Sequence, residues 1–375
     1  MYCTCTNHPL EASTETRRRE HVELPLFFWG TLFRFFASER GPPMTIAYDA
    51  GDLNELTVLF RWHGTIIPKV LCRPVLWLLI ASHVGFLYMH IYRDDITLPT
   101  LPWKLTAVPT ALLTFFIVFY SSNCYNRYYT FYSKCTGMSA AVMCWVGLLR
   151  VHFPKASPET LWNLCRHMVA SVYMLYFQLA GGASDGGKQV TESEWQVLLQ
   201  TGLLSPEEKK KLAEYRGFKP FLLQVWAMRA LSDHIAVDKD KGPNANLGPF
   251  QTQALAARGC CADIVNTMTQ PVPFPYYHTL TLMLSLNLLM ISYSLLEFET
   301  MMTIPVFFII VFVLLGLKET AVVLADPFGG NDVDFETEVY MANMLANSKA
   351  LISPSADYVP QTLPLAAVKA SPTKK

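Results

Sequence analysis

The sequence predicts an all-α integral membrane protein, with four transmembrane helices per chain and a large helical cytosolic region. Three observations carry that prediction. Residues 274–325 are almost continuously apolar; within them 276–296 hold no Asp, Glu, Lys or Arg, and 304–317 are uncharged again. Spans at 276–297 and 304–324 therefore fit a hydrocarbon layer of about 30 Å. Two further apolar stretches occupy 71–92 and 103–122. Finally, 51% of residues are hydrophobic and only 16% charged, far from the disordered and nucleic-acid-binding classes. Thirty basic and thirty acidic side chains cancel, so no basic surplus calls for a nucleic-acid partner and no acidic surplus for a solvating tail.

Residues 1–43 combine the polar run 14–20 with an aromatic patch at Phe27, Phe28 and Trp29, and end in Gly41-Pro-Pro43. They lack the apolar core and cleavage pattern of a secretory signal, which makes them a non-cleaved extension, with Met44 an alternative start. The stretch 71–92 is interrupted in polarity only by Arg73, Ser82, His83 and His90. Lys69 and Arg73 flank its start, placing that end on the cytosolic side. Residues 94–102 form a short external loop. The apolar run 103–122 then gives way to Ser121-Ser-Asn-Cys-Tyr-Asn-Arg127, which returns the chain to the cytosol.

Residues 137–151 are apolar but too few to span, so a separate buried helix is expected there, and 168–180 reads similarly. From 186 to 259 the composition is that of a soluble helical domain. Ser205-Pro-Glu-Glu208 supplies an N-cap, a first-turn Pro and acids against the helix dipole. Pro271-Val-Pro-Phe-Pro275 ends helix continuation and returns the chain to the membrane. After the last span comes Asp326-Pro-Phe-Gly-Gly-Asn-Asp-Val-Asp-Phe-Glu336, and 341–375 form a Pro-containing tail. His83 and His90, seven apart, suit helix packing or an interfacial position, ahead of a pH sensor. Lys318-Glu319 pairs internally or marks the cytosolic end of its helix. Nine cysteines lie at no ligand spacing, which supports neither a zinc site nor a disulfide framework. No internal repeat is visible.

Several segments together resemble the bestrophin family of anion channels, and specifically its animal-type members. Met44-Thr-Ile-Ala-Tyr48, Arg61-Trp-His-Gly-Thr-Ile66 with Lys69, Asn126-Arg-Tyr-Tyr129, Pro273-Phe-Pro-Tyr-Tyr277 and the run from Asp326 to Glu336 occur in family order. They divide the chain into an extension (1–43), a channel core (44–340, with a cytosolic helical region at 123–272) and the tail. The resemblance implies a homopentamer in a lipid bilayer, with one central pore for permeant anions, chloride and also bicarbonate.

Counted back from Arg127, the family's pore-neck positions fall on Ala111, Phe115 and Phe119, four apart and so along one helical face. Leu112 is the alternative to Ala111 if the register shifts by one. Rings of such side chains constrict a pore and gate it by dewetting, while phenyl edges face an anion without a fixed charge. Lipid contact or helix packing is the other reading of the same Phe stripe. The family's cytosolic aperture falls on Leu247, with Phe250 as competitor.

The acidic run offers hard oxygen donors beside two glycines, without the spacing of an EF-hand. A solvated acidic loop is the plainer reading. The resemblance implies a calcium clasp made by the carbonyls of Leu53 and Val323 and the side chains of Asp326, Asn331 and Asp334. Asn331 stands where the family usually carries Asp, and Asp326 where it carries Asn.

The resulting expectation is a non-enzymatic, calcium-activated, chloride-permeable channel of the plasma membrane. Alternatives are an organellar bicarbonate channel of the same family and a non-conducting membrane scaffold. An integral-membrane enzyme is disfavoured because no nucleophile elbow, His-Glu-x-x-His or phosphate loop is present.

Overall fold

The computed structural model describes residues 62, 64–92, 99, 101–180, 189–238, 241–242, 245–328 and 334–356. Among these the regular structure is helical, with no strand. A short helix α1 (Ile67–Leu71) leads through Cys72-Arg73 into α2 (Pro74–Tyr92). A 3-10 turn (Trp103–Thr106) opens α3 (Ala107–His152), followed by α4 (Pro158–Leu179), α5 (Glu192–Gln200), α6 (Pro206–Glu214), α7 (Lys219–Val237) and α8 (Gly248–Thr269). The chain then forms α9 (Phe274–Ser294), α10 (Thr303–Ala325) and α11 (Thr337–Ile352). Four of these helices are long and apolar enough to cross a membrane: α2, α3 with its 3-10 turn, α9 with the 3-10 turn after it, and α10.

One correction concerns α3. The expected break near 121–127 and the separate helix at 137–151 are absent; both belong to one helix of 46 residues. At 1.5 Å per residue it runs about 69 Å, more than twice the hydrocarbon thickness, so a large part must project beyond the bilayer. No Gly or Pro lies between Pro109 and Gly137, and so nothing in the backbone chemistry stops the helix where its polarity changes.

Two cores share α3 as their spine. In the first, Leu113, Ile117, Tyr120 and Cys124 of α3 pack with Leu76 and Leu79 of α2, Leu284 and Leu288 of α9, and Phe307 and Val311 of α10. In the second, the far half of α3 (Phe131 to Leu149) packs with α4, α7, α8 and α11. Helix α4 is buried along almost its whole length, from Leu161 to Leu179, and forms the centre of this bundle. Ser157 caps α4, while Thr191 and Ser205 form reciprocal capping boxes with Glu194 and Glu208. The Ser-Pro-Glu-Glu start at 205–208 is thus where the sequence placed it.

Several polar groups inside the first core are paired, as burial in an apolar layer favours. His83 is fully buried; its Nδ1 lies 3.1 Å from the Ser292 carbonyl, its Nε2 3.2 Å from Thr303 Oγ1, and its ring packs on Phe307. This is the packing role offered by the sequence, and it joins α2 to both α9 and α10. Asn287 donates to Thr110 at 3.1 Å. Arg73 donates to buried Glu319 at 2.6 Å, tying the start of α2 to the far end of α10. Lys318 lies over the Tyr277 ring at 4.7 Å. The Lys318-Glu319 pair therefore has internal partners. The cysteines among the described residues are free.

Candidate functional site

Along α3, Ala111, Phe115 and Phe119 occupy one face and are uncovered; the two phenyl rings are 64% and 51% exposed. Their rings are stacked, with centroids 6.4 Å apart and planes 12° from parallel. The same face continues, uncovered, through Ser122, Asn126, Tyr129, Ser133, Thr136 and Ala140. Steps of three and four keep these residues in line on a straight helix. This continuous seam is aromatic and apolar at one end, hydroxyl- and amide-bearing further on, and free of charged side chains.

Behind the seam, Tyr276 meets the Phe119 ring edge-on, centroids 6.1 Å apart, and donates its hydroxyl to the Phe116 carbonyl at 3.2 Å. Ala111 also borders an apolar cavity of about 610 Å³ between α3, α9 and α10, alongside Trp103, Thr110, Thr114 and Ile310. Leu112 is exposed as well, one position round the helix.

Leu247 immediately precedes α8 and is partly buried against the second core. Phe250 is fully buried, edge-on to Trp145 with centroids 5.1 Å apart. That burial commits Phe250 to packing and leaves Leu247 as the more accessible of the two.

Of the five expected clasp positions, Leu53 and Asn331 lie outside the described residues. Val323 is in the last turn of α10, where backbone carbonyls lack a partner within the helix. Asp326 follows directly and its Oδ1 accepts from the Phe328 amide at 3.4 Å. Asp334 is buried, only 6% exposed. The ends of the loop are fastened together, with the Phe335 amide donating to the Pro327 carbonyl at 2.9 Å. Phe328 and Phe335 seat both ends against α3, through Phe131 and Tyr128 respectively. Among the described residues, no group of three or more His, Cys, Asp and Glu side chains could hold a metal ion. The oxygen donors that are described do suit a hard cation: two carboxylates, and carbonyls at a helix C-terminus. A pocket of about 220 Å³ next to Val323 is lined by Gly64, Thr65, Lys69 and Thr320, so the amino-terminal motif and the end of α10 adjoin. Gly64 has φ +72°, a turn that glycine adopts without strain.

Sequence reasoning singled out Arg127 only as part of a motif, and its contacts came from the fold. Its Nε donates to the Ala325 carbonyl and its Nη1 to the Gln270 carbonyl, each at 2.7 Å. The functional signal was there in the motif, but its partners lie 143 and 198 residues away.

A family model described as "Bacterial/Fungal Bestrophin protein" matches residues 50–349. The voltage-dependent anion channel-forming protein sll1024 of Synechocystis is 21% identical over 305 residues, covering 79% of this chain and 91% of that protein. A bacterial bestrophin homolog from Klebsiella pneumoniae superposes with a TM-score of 0.65 at 18% identity, over 74% of this chain and 97% of that one. A mutant of the same homolog gives 0.65 at 18%, over 76% and 98%. The expected animal type is corrected by these matches, which point to the bacterial type. The motifs behind that expectation mark a turn at Gly64, the helix ties of Arg127, the Pro start of α9 and the loop after α10, features that serve the fold itself. The matched region runs from the segment before α1 through both cores to α11, and the chain belongs to the bestrophin family.

Proposed function

We propose that the chain is the subunit of an anion-conducting pore lined by α3. The carrying observation is the uncovered seam from Ala111 to Ala140. In a lone subunit lipid would cover the phenyl rings within a bilayer and water the polar half of the same face beyond it, two unlike environments along one seam. A single account covers both halves: copies of α3 face one another around an axis. The seam offers an anion no fixed positive charge to hold it, and Phe115 and Phe119 supply rings whose apolar surface closes the path by dewetting. The name of the Synechocystis relative, a voltage-dependent anion channel-forming protein, agrees with this reading.

The test is current through a planar bilayer containing the purified full-length chain in asymmetric chloride. Wild-type protein is expected to reverse near the chloride potential. The double variant Phe115→Ala/Phe119→Ala should conduct more, with weaker dependence on gating conditions. Silence with every anion would favour a non-conducting scaffold, and an unchanged double variant would move the gate elsewhere.

The acidic loop is, in the same proposal, a calcium site that biases the neck. Its support is the donor set: Val323, Asp326 and Asp334, with Leu53 and Asn331 completing the expected ligands. Bound calcium would supply positive charge at the junction of α10 and the loop. Asp334→Ala is expected to shift activation to higher calcium or abolish it; an unaltered calcium response would reduce the loop to a structural connection.

A further inference from the structure

Arg127 lies eight residues beyond Phe119 on α3, about 12 Å along the helix axis and turned about 80° from the Phe119 direction, toward the protomer interior. Both carbonyls it engages belong to helix ends. Ala325 is the last residue of α10 and Gln270 is the C-cap of α8. Such ends carry unpaired carbonyl oxygens and the negative pole of the helix dipole, so one cation between two of them is electrostatically well matched. At 2.7 Å both bonds have the length of charge-assisted ones. The guanidinium also stands 5.0 Å from the Phe131 ring centre on its own helix, which limits its freedom to swing away.

We infer that Arg127 is a positioning residue for the neck, fixing the register of the pore helix against the end of α10 and so against the acidic loop. The inference rests on the pore function proposed above. It assigns the fork geometry a purpose: the backbone of Ala325 cannot shift without drawing on α3, because the link runs to a main-chain carbonyl. Released from that link, α3 would let the Phe115 and Phe119 rings collapse together, since exposed phenyl surface gains by clustering away from water.

The experiment is a double-mutant cycle on full-length protein in proteoliposomes, read as chloride efflux per reconstituted channel. Arg127→Gln is combined with the intact neck and with Phe115→Ala/Phe119→Ala. With the neck intact, efflux should fall by about tenfold or more, the factor corresponding to one lost charge-assisted hydrogen bond. Without the neck rings, the same substitution should change efflux by less than about twofold, within ordinary additivity. Arg127→Lys, which keeps the charge but not the two-pronged geometry, should recover only part of the intact-neck loss. Equal loss in both backgrounds would make Arg127 a general fold determinant and overturn the inference. So would Arg127→Gln with unimpaired efflux. Absence of efflux from wild type and neck-free protein alike would overturn the pore function itself, and this inference with it.

Discussion

Glu208 begins as a helix-start residue and ends as the centre of a part-buried ion cluster. Its carboxylate closes the capping box by accepting from the Ser205 amide at 2.8 Å. It also receives Arg166 in two-pronged fashion at 2.6 and 2.7 Å and lies 2.9 Å from His167 Nε2. Burial alone would raise this carboxyl, but the hydrogen bonds from His167 and Arg166, with the Ser205 amide, hold it well below the usual carboxylate range. A group depressed on folding contributes its full stability above its unfolded pKa, about 4.3, and loses it as pH falls from there through the folded value. Glu208→Gln should therefore cost about 2 kcal/mol near neutral pH, seen as a lower melting midpoint in detergent. The gap to wild type should narrow once the pH drops below about 4. A gap independent of pH would show that shape, not charge, matters at this position. The capping role of Ser205 and Glu208 was legible from four adjacent residues. The cluster was not, because Arg166 and His167 meet Glu208 only after α4 and α6 pack.

Between helices, the pair Arg73–Glu319 decides how α2 and α10 are held. Glu319 is nearly inaccessible, with 9% of its side chain exposed, whereas Arg73 retains 54%. The pair is thus a buried acid answered by a half-solvated base, and removing each partner has a different consequence. Arg73→Ala leaves a carboxylate in an apolar helix without its counter-charge, costing about 1–3 kcal/mol after allowing for solvent at the arginine end. Arg73→Ala/Glu319→Gln should regain most of that loss, because the charge to be satisfied is gone. Melting midpoints of the two variants check this, and a double variant no better than the single would mean that Glu319 has found another partner. Element lengths show the same division between local and distant information. The bounds of the apolar helices α2, α9 and α10 were readable to within a few residues because apolar length is written directly in sequence. The continuity of α3 was not, since Ser121, Ser122, Asn123 and Asn126 look like a loop by polarity although none of them stops a helix. The absence of Gly and Pro from 110 to 136 was the signal that could have found it. Leu247 and Phe250 illustrate the converse: three residues apart in one segment, only packing separates a core ring from an accessible side chain.

Taken as one body, the protomer leaves its longest helix uncovered along a single face. That face passes from Phe115 and Phe119 to Asn126, Ser133 and Ala140, and so from the apolar layer into the polar bundle. An isolated monomer would expose it to two unlike solvents at once, whereas a closed ring of identical copies gives both halves the same axial environment. Geometry also bears on the number of copies. Helices about 10 Å across, spaced about 10 Å apart around an axis, leave a channel of about 2 Å radius for four copies, 3.5 Å for five and 5 Å for six. Four would be nearly shut by the helices themselves, and each added copy widens the aperture that the phenyl rings have to close. Five gives an aperture that the Phe115 and Phe119 rings can close or open by changing direction, in keeping with the neck proposed for this face. Native mass measurement of the detergent-solubilised protein should therefore return five copies of the 42.3 kDa chain, with no lower species on dilution. A stable monomer or dimer would supply too few copies to close a ring around the α3 face and would remove the geometric basis for an axial pore. A stable tetramer or hexamer would retain the axis but change the aperture, and the two rings would then have to close a different width.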